Sequence, residues 1–211
     1  MDIVTFHHSP NSRSAGTRVL LEELHAPFKL HAVNMKRGDQ RKPDYLAINP
    51  MGKVPALTHH GVLIAEQAAV FMYLADLFSE KGLAPALDDP LRGTYLRWMV
   101  FYGSCFEPAV VDRALKRDPA PPGMNPYGDF DTMLDNVVMQ LRKGPYILGT
   151  RFSAADILWA SGLQWIVMFK LVPELPEIMD YVARITARPS FARAAELDVE
   201  LAKQHEAEAA G

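Results

Sequence analysis

The stretch Asn49-Pro50-Met51-Gly52-Lys53-Val54-Pro55-Ala56-Leu57 places a proline at the head of an apolar run that is typical of a β-strand. Proline has no N–H to donate to a strand ladder, so Pro55 requires a structural reason. If the Val54–Pro55 bond is cis, the N–H and C=O of Val54 face away from the sheet and can pair with an extended peptide. The alternative is an ordinary edge-strand proline with no ligand beside it.

The chain before this stretch carries the pattern of two strands joined by a helix. Residues 3–6 are rich in β-formers, and residues 29–33 alternate polar and apolar side chains with a period of two. Between them, residues 14–25 place leucines and a valine on one helical face, and Pro27 ends that helix. We expect the two strands to be parallel, because a connection of this length makes a right-handed crossover.

The chain after the stretch continues with a hairpin and a second helix. Residues 56–58 and 62–64 predict two short strands joined by the turn His59-His60-Gly61, and residues 66–77 predict an amphipathic helix. Adjacent histidines on such a hairpin are expected to point to opposite faces. This expectation disfavours a metal site at the turn.

The second half of the chain predicts helices only. Residues 79–90 carry glycine, prolines and charges without periodicity, as a linker does, and helical patterns follow at 91–115, 130–142, 154–169, 174–186 and 191–205. Ser153 and Asp156 have the spacing of a capping box, which serves folding rather than catalysis. We therefore predict an α/β thioredoxin-like N-terminal domain (βαβ-α-ββα) in residues 1–78, a linker at 79–90, and an all-α helical C-terminal domain at 91–211.

Composition and charge exclude several classes of protein. The 22 basic and 25 acidic residues leave a net charge of −3 without a basic cluster, so a nucleic-acid face is not expected. Every apolar stretch is interrupted by charge well before the roughly 20 residues that cross a bilayer, so no membrane partner is expected. Met1-Asp2-Ile3-Val4 shows neither a basic nor a long apolar region of a secretory signal. We expect a cytoplasmic protein.

The motif NPMGKVPAL, with Glu66-Gln67 downstream, resembles the NPxGxVPxL pattern followed by Glu-Ser in the bacterial-type cytosolic glutathione S-transferase family. The resemblance extends along the whole chain. It implies a transferase that activates the glutathione thiol for attack on an electrophilic small molecule, with glutathione as co-substrate and no metal. It also implies that the helical domain contributes the pocket for a hydrophobic electrophile, and that the protein is a homodimer.

The resemblance directs attention to the loop between the first strand and the first helix, His8-Ser9-Pro10-Asn11-Ser12-Arg13-Ser14. A helix N-terminus stabilises an anion such as a thiolate, and a hydroxyl or amide in this loop is able to donate to it. Ser12 and Asn11 are the closest matches to the family's catalytic position, Ser9 and Asn11 match bacterial members with a paired Ser/Thr and Asn, and Ser14 is a further alternative. The loop contains neither tyrosine nor cysteine, which disfavours the tyrosine-type and thiol-exchange classes.

The resemblance assigns the rest of the tripeptide site as well. Glu66 and Gln67 are expected to meet the γ-glutamyl ammonium and carboxylate, although the family has serine at the position of Gln67. Val54 and Pro55 are expected to meet the cysteinyl unit. Gln40, Arg41 and Lys53 are expected near the glycyl carboxylate.

Two function classes follow from these features. The first is an enzyme that activates glutathione for attack on an electrophile, a peroxide or an aryl ether; the second is a glutathione-binding or regulatory module of the same fold without turnover. The intact loop, with Val54, Pro55 and Glu66, favours the enzyme. Isomerase chemistry of the maleylacetoacetate type is disfavoured, because the loop lacks a Ser-Cys pattern.

Overall fold

The structure is a computed structural model that describes residues 3–118 and 120–210. The chain forms two compact units. One contains the chain through Phe78 together with the segment from Arg188 onward, and the other spans Ser79–Ala187. None of the helices within the described ranges is both long enough and apolar enough to cross a membrane.

The first unit is built on a four-stranded mixed sheet. Its elements in chain order are β1 (Val4–His8), α1 (Ser14–Leu24), β2 (Phe28–Ala32), α2 (Pro43–Ile48), β3 (Ala56–His59), β4 (Val62–Ile64) and α3 (Gln67–Leu77). The strand order is β2-β1-β3-β4, with β1 and β2 parallel and the other two pairs antiparallel. This order confirms the predicted thioredoxin-like domain.

The core of this unit lies between the sheet and the helices. Phe6 and Leu57 occupy opposed positions on neighbouring strands and are fully buried. Apolar residues of α1 and α3 complete the core at helical spacing, namely Leu20, Leu21, Leu24, Val70, Phe71 and Leu74. The ends of β1 and β3 are thereby held in a fixed register, which positions the loops that follow and precede them.

The second unit consists of helices: α4 (Arg92–Phe101), α5 (Glu107–Ala114), α6 (Phe130–Leu141), α7 (Ala154–Met168) and α8 (Pro176–Thr186). The helix predicted at 91–115 contains a π-helical turn at Tyr102–Phe106 between α4 and α5. Pro108 explains the irregularity, because proline has no N–H for the regular i→i−4 bond at the start of α5. Trp98 and Trp159 are buried in this unit, and the indole N–H of Trp159 donates to the Trp98 carbonyl at 3.1 Å.

The predicted capping box at the start of α7 is present. Asp156 accepts from the backbone N–H of Ser153 at 2.8 Å and from that of Ile147 at 2.7 Å. The Tyr181 hydroxyl donates to the same carboxyl group at 3.0 Å. Burial raises the pKa of Asp156 to about 6. The box therefore ties three segments of the helical unit together and has a structural role.

The structure groups α9 (Pro189–Ala210) with the first unit, whereas the sequence pattern predicts one helical domain at 91–211. Polar contacts attach it to α1. The Arg188 guanidinium pairs with Glu23, the Ser190 hydroxyl donates to Glu23 at 2.6 Å, and Arg18 donates to Asp198 at 2.9 Å. Helical periodicity predicts that a helix forms here but does not identify the element on which its polar face docks.

Candidate active site

The Val54–Pro55 peptide bond is cis, which is the first of the two alternatives for the opening stretch. The backbone just before it is held by two side chains, because the Tyr45 hydroxyl and the Asn49 amide donate to the Lys53 carbonyl at 2.7 Å and 3.0 Å. Gly52 has a φ of +59°, and a Cβ built there would lie 2.6 Å from the Gln40 carbonyl oxygen. A glycine is therefore required where the motif carries one.

This segment and the loop at residues 8–14, which we call the serine-rich loop, lie at the same end of the two central strands of the sheet. In the antiparallel pairing of β1 with β3, His7 is opposite Ala56. The loop that follows His8 and the residues that precede Ala56 consequently leave the sheet side by side. The structure brings the predicted sulfur-activating loop next to the predicted peptide-binding edge.

The loop contains a compact cluster of hydroxyl groups. The Ser12 Oγ lies 2.7 Å from the Ser9 carbonyl oxygen and 2.6 Å from the Ser14 Oγ, so its single hydrogen has two acceptors within reach, and it accepts from the Ser14 backbone N–H at 3.2 Å. Ser9 and Ser14 are buried, whereas Ser12 is half-buried and Asn11 is exposed with a φ of +55°. Of the four predicted residues, Ser12 and Asn11 are thus the ones that present their side chains toward the surface.

The two residues at the start of α3 differ in their surroundings. Glu66 is exposed and has a φ of +66°, a backbone conformation that L-residues other than glycine rarely adopt. Gln67 donates from its Nε2 to the Arg13 carbonyl at 3.0 Å, while its Oε1 is buried without a hydrogen-bond partner. The bond from Gln67 joins the start of α3 to the serine-rich loop, so two predicted parts of the site are in direct contact.

The residues predicted to bind the glycyl carboxylate of glutathione lie around Gly52. The Gln40 carbonyl packs against Gly52, and Arg41 donates to the Met51 carbonyl at 3.3 Å. Lys53 is exposed. The Gln40 backbone therefore lies against the residue that precedes Lys53, and Arg41 is already engaged with the backbone of the motif.

Sequence reasoning missed a buried histidine behind the loop. The Nδ1 of His8 lies 2.8 Å from the Ser14 Oγ, and its Nε2 lies 2.9 Å from the Oδ1 of Asp198 on α9. The position of His8, directly before the loop at the end of β1, was a signal in the sequence. Asp198 had none, because it is 190 residues away along the chain.

The expectation for the hairpin histidines is wrong. The rings of His59 and His60 lie 4.0 Å apart rather than on opposite faces, since His60 has a φ of +51° and leaves the extended conformation. No group of three or more potential ligands that could hold a metal ion is found in the described part of the chain.

Comparison with known proteins identifies the family. Residues 1–76 match the model of the glutathione S-transferase N-terminal domain, and residues 130–189 match that of the C-terminal domain. Together these segments span well over half of the 211 residues. A glutathione S-transferase of Hyoscyamus muticus is 27% identical over 205 residues, covering 90% of this chain and 96% of the relative.

Solved structures agree with the family models. A glutathione transferase from Methylococcus capsulatus str. Bath has a TM-score of 0.78 at 28% identity, covering 93% of this chain and 98% of that one. A glutathione transferase homologue from Sulfitobacter with bound glutathione has a TM-score of 0.75 at 27% identity, with the same coverage of both chains. The chain belongs to the cytosolic glutathione S-transferase family.

Proposed function

We propose that this glutathione transferase activates the glutathione thiol with the serine-rich loop, and that the Ser12 hydroxyl donates to the sulfur. The observation that carries the proposal is the geometry of Ser12, which is half-buried two residues before the first residue of α1. Ser9 and Ser14 are buried, so neither hydroxyl is placed to touch a substrate. Asn11, which is exposed in the same loop, is the second candidate donor.

The energies required are within reach of this arrangement. A cysteine thiol has a pKa of about 8.5, and each unit of depression corresponds to about 1.4 kcal/mol of preferential thiolate binding. A hydrogen bond to a charged partner contributes roughly 1.5–3 kcal/mol. One hydroxyl, helped by the N-terminus of α1, therefore supplies one to two units, at about 1.4 kcal/mol each. Bound glutathione is then mostly thiolate at neutral pH, and the enzyme needs only to position the electrophile.

The remaining predicted residues bind the tripeptide. The Val54 backbone pairs with the cysteinyl unit, and Glu66 meets the γ-glutamyl ammonium. Gln67 already donates to Arg13, so one of its two amide hydrogens is left for the γ-glutamyl carboxylate. Gln40 and Lys53 hold the glycyl carboxylate.

Apolar side chains near the end of α7 are candidates for holding the hydrophobic electrophile. Met168 and Phe169 are 61% and 57% exposed, and the Phe169 ring lies 5.6 Å from that of Trp165. Trp98 and Trp159, in contrast, are core residues of the helical unit. Phe169→Ala should raise KM for an apolar electrophile without changing the affinity for glutathione.

Ser12→Ala tests the catalytic assignment. Without the hydroxyl, the pKa of the bound thiol should rise by about one unit or more, and kcat/KM at neutral pH should fall about tenfold or more. Much of the loss should be recovered at alkaline pH, where the thiol ionises unaided, while glutathione affinity changes little. The measurement is the ultraviolet absorbance of the bound thiolate as a function of pH, together with turnover of an aryl halide.

Asn11→Ala is the matched control, because Asn11 is in the same loop and is also exposed. If it shifts the thiolate titration and Ser12→Ala does not, Asn11 is the donor. If neither substitution shifts it, the loop mechanism is wrong. Tight glutathione binding by the unaltered protein, with no turnover of a panel of halides, peroxides and ethers, would instead support a non-catalytic module. We further propose that the protein acts in the cytoplasm as a homodimer.

A further inference from the structure

A continuous chain of hydrogen bonds leads from Ser12 into the interior of the first unit. The Ser12 Oγ lies 2.6 Å from the Ser14 Oγ, which lies 2.8 Å from the Nδ1 of His8. The Nε2 of His8 lies 2.9 Å from the Oδ1 of Asp198. We call Ser12, Ser14, His8 and Asp198 the relay; its first member is half-buried, and Ser14 and His8 are fully buried.

Asp198, at the inner end of the relay, determines which atom of each hydrogen bond is the donor. Arg18 donates to the Oδ1 of Asp198 at 2.9 Å, and a carboxylate only accepts. The Nε2 of His8 must therefore carry the hydrogen between His8 and Asp198. In a neutral imidazole the Nδ1 is then an acceptor, so Ser14 donates its single hydroxyl hydrogen to His8 at 2.8 Å rather than to the Ser9 carbonyl at 3.0 Å.

Because Ser14 donates to His8, the donor in its hydrogen bond with Ser12 is also determined. The Ser14 Oγ also receives the backbone N–H of Ser9 at 3.2 Å. With its own hydrogen given to His8, Ser14 can only accept from the Ser12 hydroxyl, whose single hydrogen then points to the Ser14 Oγ instead of to the Ser9 carbonyl. Every hydrogen between Ser12 and His8 therefore points inward, which is the arrangement needed to receive a proton at Ser12 and deliver one at the Nδ1 of His8.

His8 is neutral before substrate binds. Burial, with the nearby charges of Arg18 on α1 and His205 on α9, lowers the pKa of His8, against the opposing effect of Asp198 on α9. The Nδ1 of a neutral imidazole has a lone pair that can take a proton, and the thiolate left by the transfer adds a negative charge that favours the imidazolium against the lowered pKa of His8. Once it is protonated, Asp198 is in position to stabilise the imidazolium.

We propose that His8 accepts, through Ser14 and Ser12, the proton that the glutathione thiol loses on binding, and that Asp198 is the positioning residue that holds the His8 tautomer. This inference rests on the proposed function of Ser12. The S–H bond breaks as its proton moves to the Ser12 Oγ, the Ser12 hydrogen moves to the Ser14 Oγ, and the Ser14 hydrogen moves to the Nδ1 of His8. No electrons are exchanged, and the thiolate is left facing the hydroxyl of Ser12.

A count of released protons tests the relay in the unaltered protein. If the thiol merely ionised into solvent, binding would release close to one proton for each thiolate formed. Transfer to His8 keeps that proton inside the protein, so release should be well below the amount of thiolate seen in the ultraviolet. The release is measured by titration calorimetry with glutathione in buffers of different ionisation enthalpy. One proton released per thiolate would overturn the proposal.

Two substitutions interrupt the relay at different points. Asp198→Asn replaces a carboxylate, which only accepts, by an amide that is also able to donate to the Nε2, so the His8 tautomer is no longer fixed. Ser14→Ala breaks the hydroxyl chain. Each should raise the pKa of the bound thiol by about one unit, which is about a tenfold loss of thiolate at pH values below that pKa. Any thiolate that still forms should be accompanied by proton release to the buffer.

The matched control is Glu23→Gln, which weakens another polar tie between α1 and α9 without touching the relay. It should leave both the thiol titration and the proton count unchanged. If Ser12→Ala shifts the titration but Asp198→Asn and Ser14→Ala do not, the relay is wrong while the proposed function stands. If the unaltered protein forms no thiolate with bound glutathione, the proposed function itself has failed.

Discussion

At the scale of single residues, Gly52 shows how the motif depends on space. Its left-handed φ and the closeness of the Gln40 carbonyl are two separate demands for glycine at one position. The first is a backbone preference, and the second is a steric limit set by a neighbouring loop. Substitution of a glycine that has a positive φ but no close neighbour distinguishes the backbone preference from the steric limit.

Gly52→Ala should destabilise the protein by about 2–4 kcal/mol, because the new Cβ would lie within contact of a backbone oxygen and the φ is unfavourable for alanine. It should also weaken glutathione binding, since Lys53 and Val54 would shift. Gly61→Ala is the control: its φ is +74°, but nothing lies within 4 Å of a built Cβ. Its cost should be limited to about 1–2 kcal/mol. Denaturant unfolding measures both, and equal costs would contradict the steric argument.

Glu66 combines an unusual backbone conformation with a predicted binding role. Glu66→Gly relieves the conformational cost of a glutamate at this φ, so the free energy of unfolding should be unchanged or higher. Glutathione affinity should fall about tenfold, as expected when one charged contact worth about 1.4 kcal/mol is lost.

Glu66→Gln is the companion substitution, because it removes the charge and keeps the side chain. It should lower affinity to a similar extent without any gain in stability. Calorimetric titration and thermal unfolding of both variants provide the two readouts. Unchanged glutathione affinity in both would remove Glu66 from the site.

At the scale of secondary-structure elements, β1 carries a histidine on each of its faces near its end. His7 has its Nδ1 2.8 Å from that of His31 and its Nε2 2.8 Å from the Thr58 hydroxyl, on the two neighbouring strands. Burial and the nearby His31 lower the pKa of His7 to about 4. The sheet therefore contains a group that resists protonation when it is folded.

The contribution of His7 to stability should consequently fall on mild acidification, whereas Asp156, whose pKa is raised by burial, acts in the opposite direction. Between about pH 6.5 and about pH 4 the unfolded chain binds a proton at His7 and the folded chain does not, so unfolding becomes more favourable as pH falls. The contribution from His7 is on the order of 3 kcal/mol. Denaturant unfolding across this range should show a smaller loss, or a larger gain, of stability on acidification for His7→Asn than for the unaltered protein.

His25→Asn is the control for this measurement, because His25 is exposed and asparagine tolerates its φ of +50°. It should leave the slope of stability against pH unchanged. An unaltered slope in His7→Asn would mean that another group dominates the acid response.

The elements also show what the sequence could predict. Period-two and helical patterns located β1, β3 and α1 to within two residues, because burial of one face imposes those periods. The docking of α9 could not be predicted in the same way, since the polar residues that tie it to α1 are far apart in the chain.

In the candidate site, too, residues in a local motif could be predicted and roles that depend on distant contacts could not. Val54, Pro55 and Glu66 were predicted from a local motif, whose residues are adjacent in sequence. The part played by each hydroxyl of the loop could not be predicted, because it depends on which serine is buried and on the hydrogen bonds that His8 and Gln67 make to the loop. Only the fold supplies those partners.

At the scale of the whole molecule, α4 leaves two apolar side chains exposed on one face of the helical unit. Leu96 and Val100 are 38% and 55% exposed and are four residues apart, so they lie on the same side of the helix. This pair fits the apolar surface that the proposed homodimer requires.

The double substitution Leu96→Lys and Val100→Lys should reduce the molar mass in solution from two chains to one. Light scattering at micromolar concentration is the measurement. Leu115→Lys is the control, because Leu115 is 59% exposed but lies outside α4. A monomeric mass for the unaltered protein would contradict the proposed dimer directly.

The attachment of α9 to the first unit has a consequence for synthesis of the chain. The ribosome completes residues 3–78 long before it reaches 189–210, so the first unit emerges without its last helix. Until α9 arrives, Arg18 lacks Asp198, and His8 lacks the carboxylate that orients it. The nascent thioredoxin-like unit is therefore incomplete through most of translation, and the serine-rich loop acquires its full hydrogen-bond network only as the polypeptide is finished.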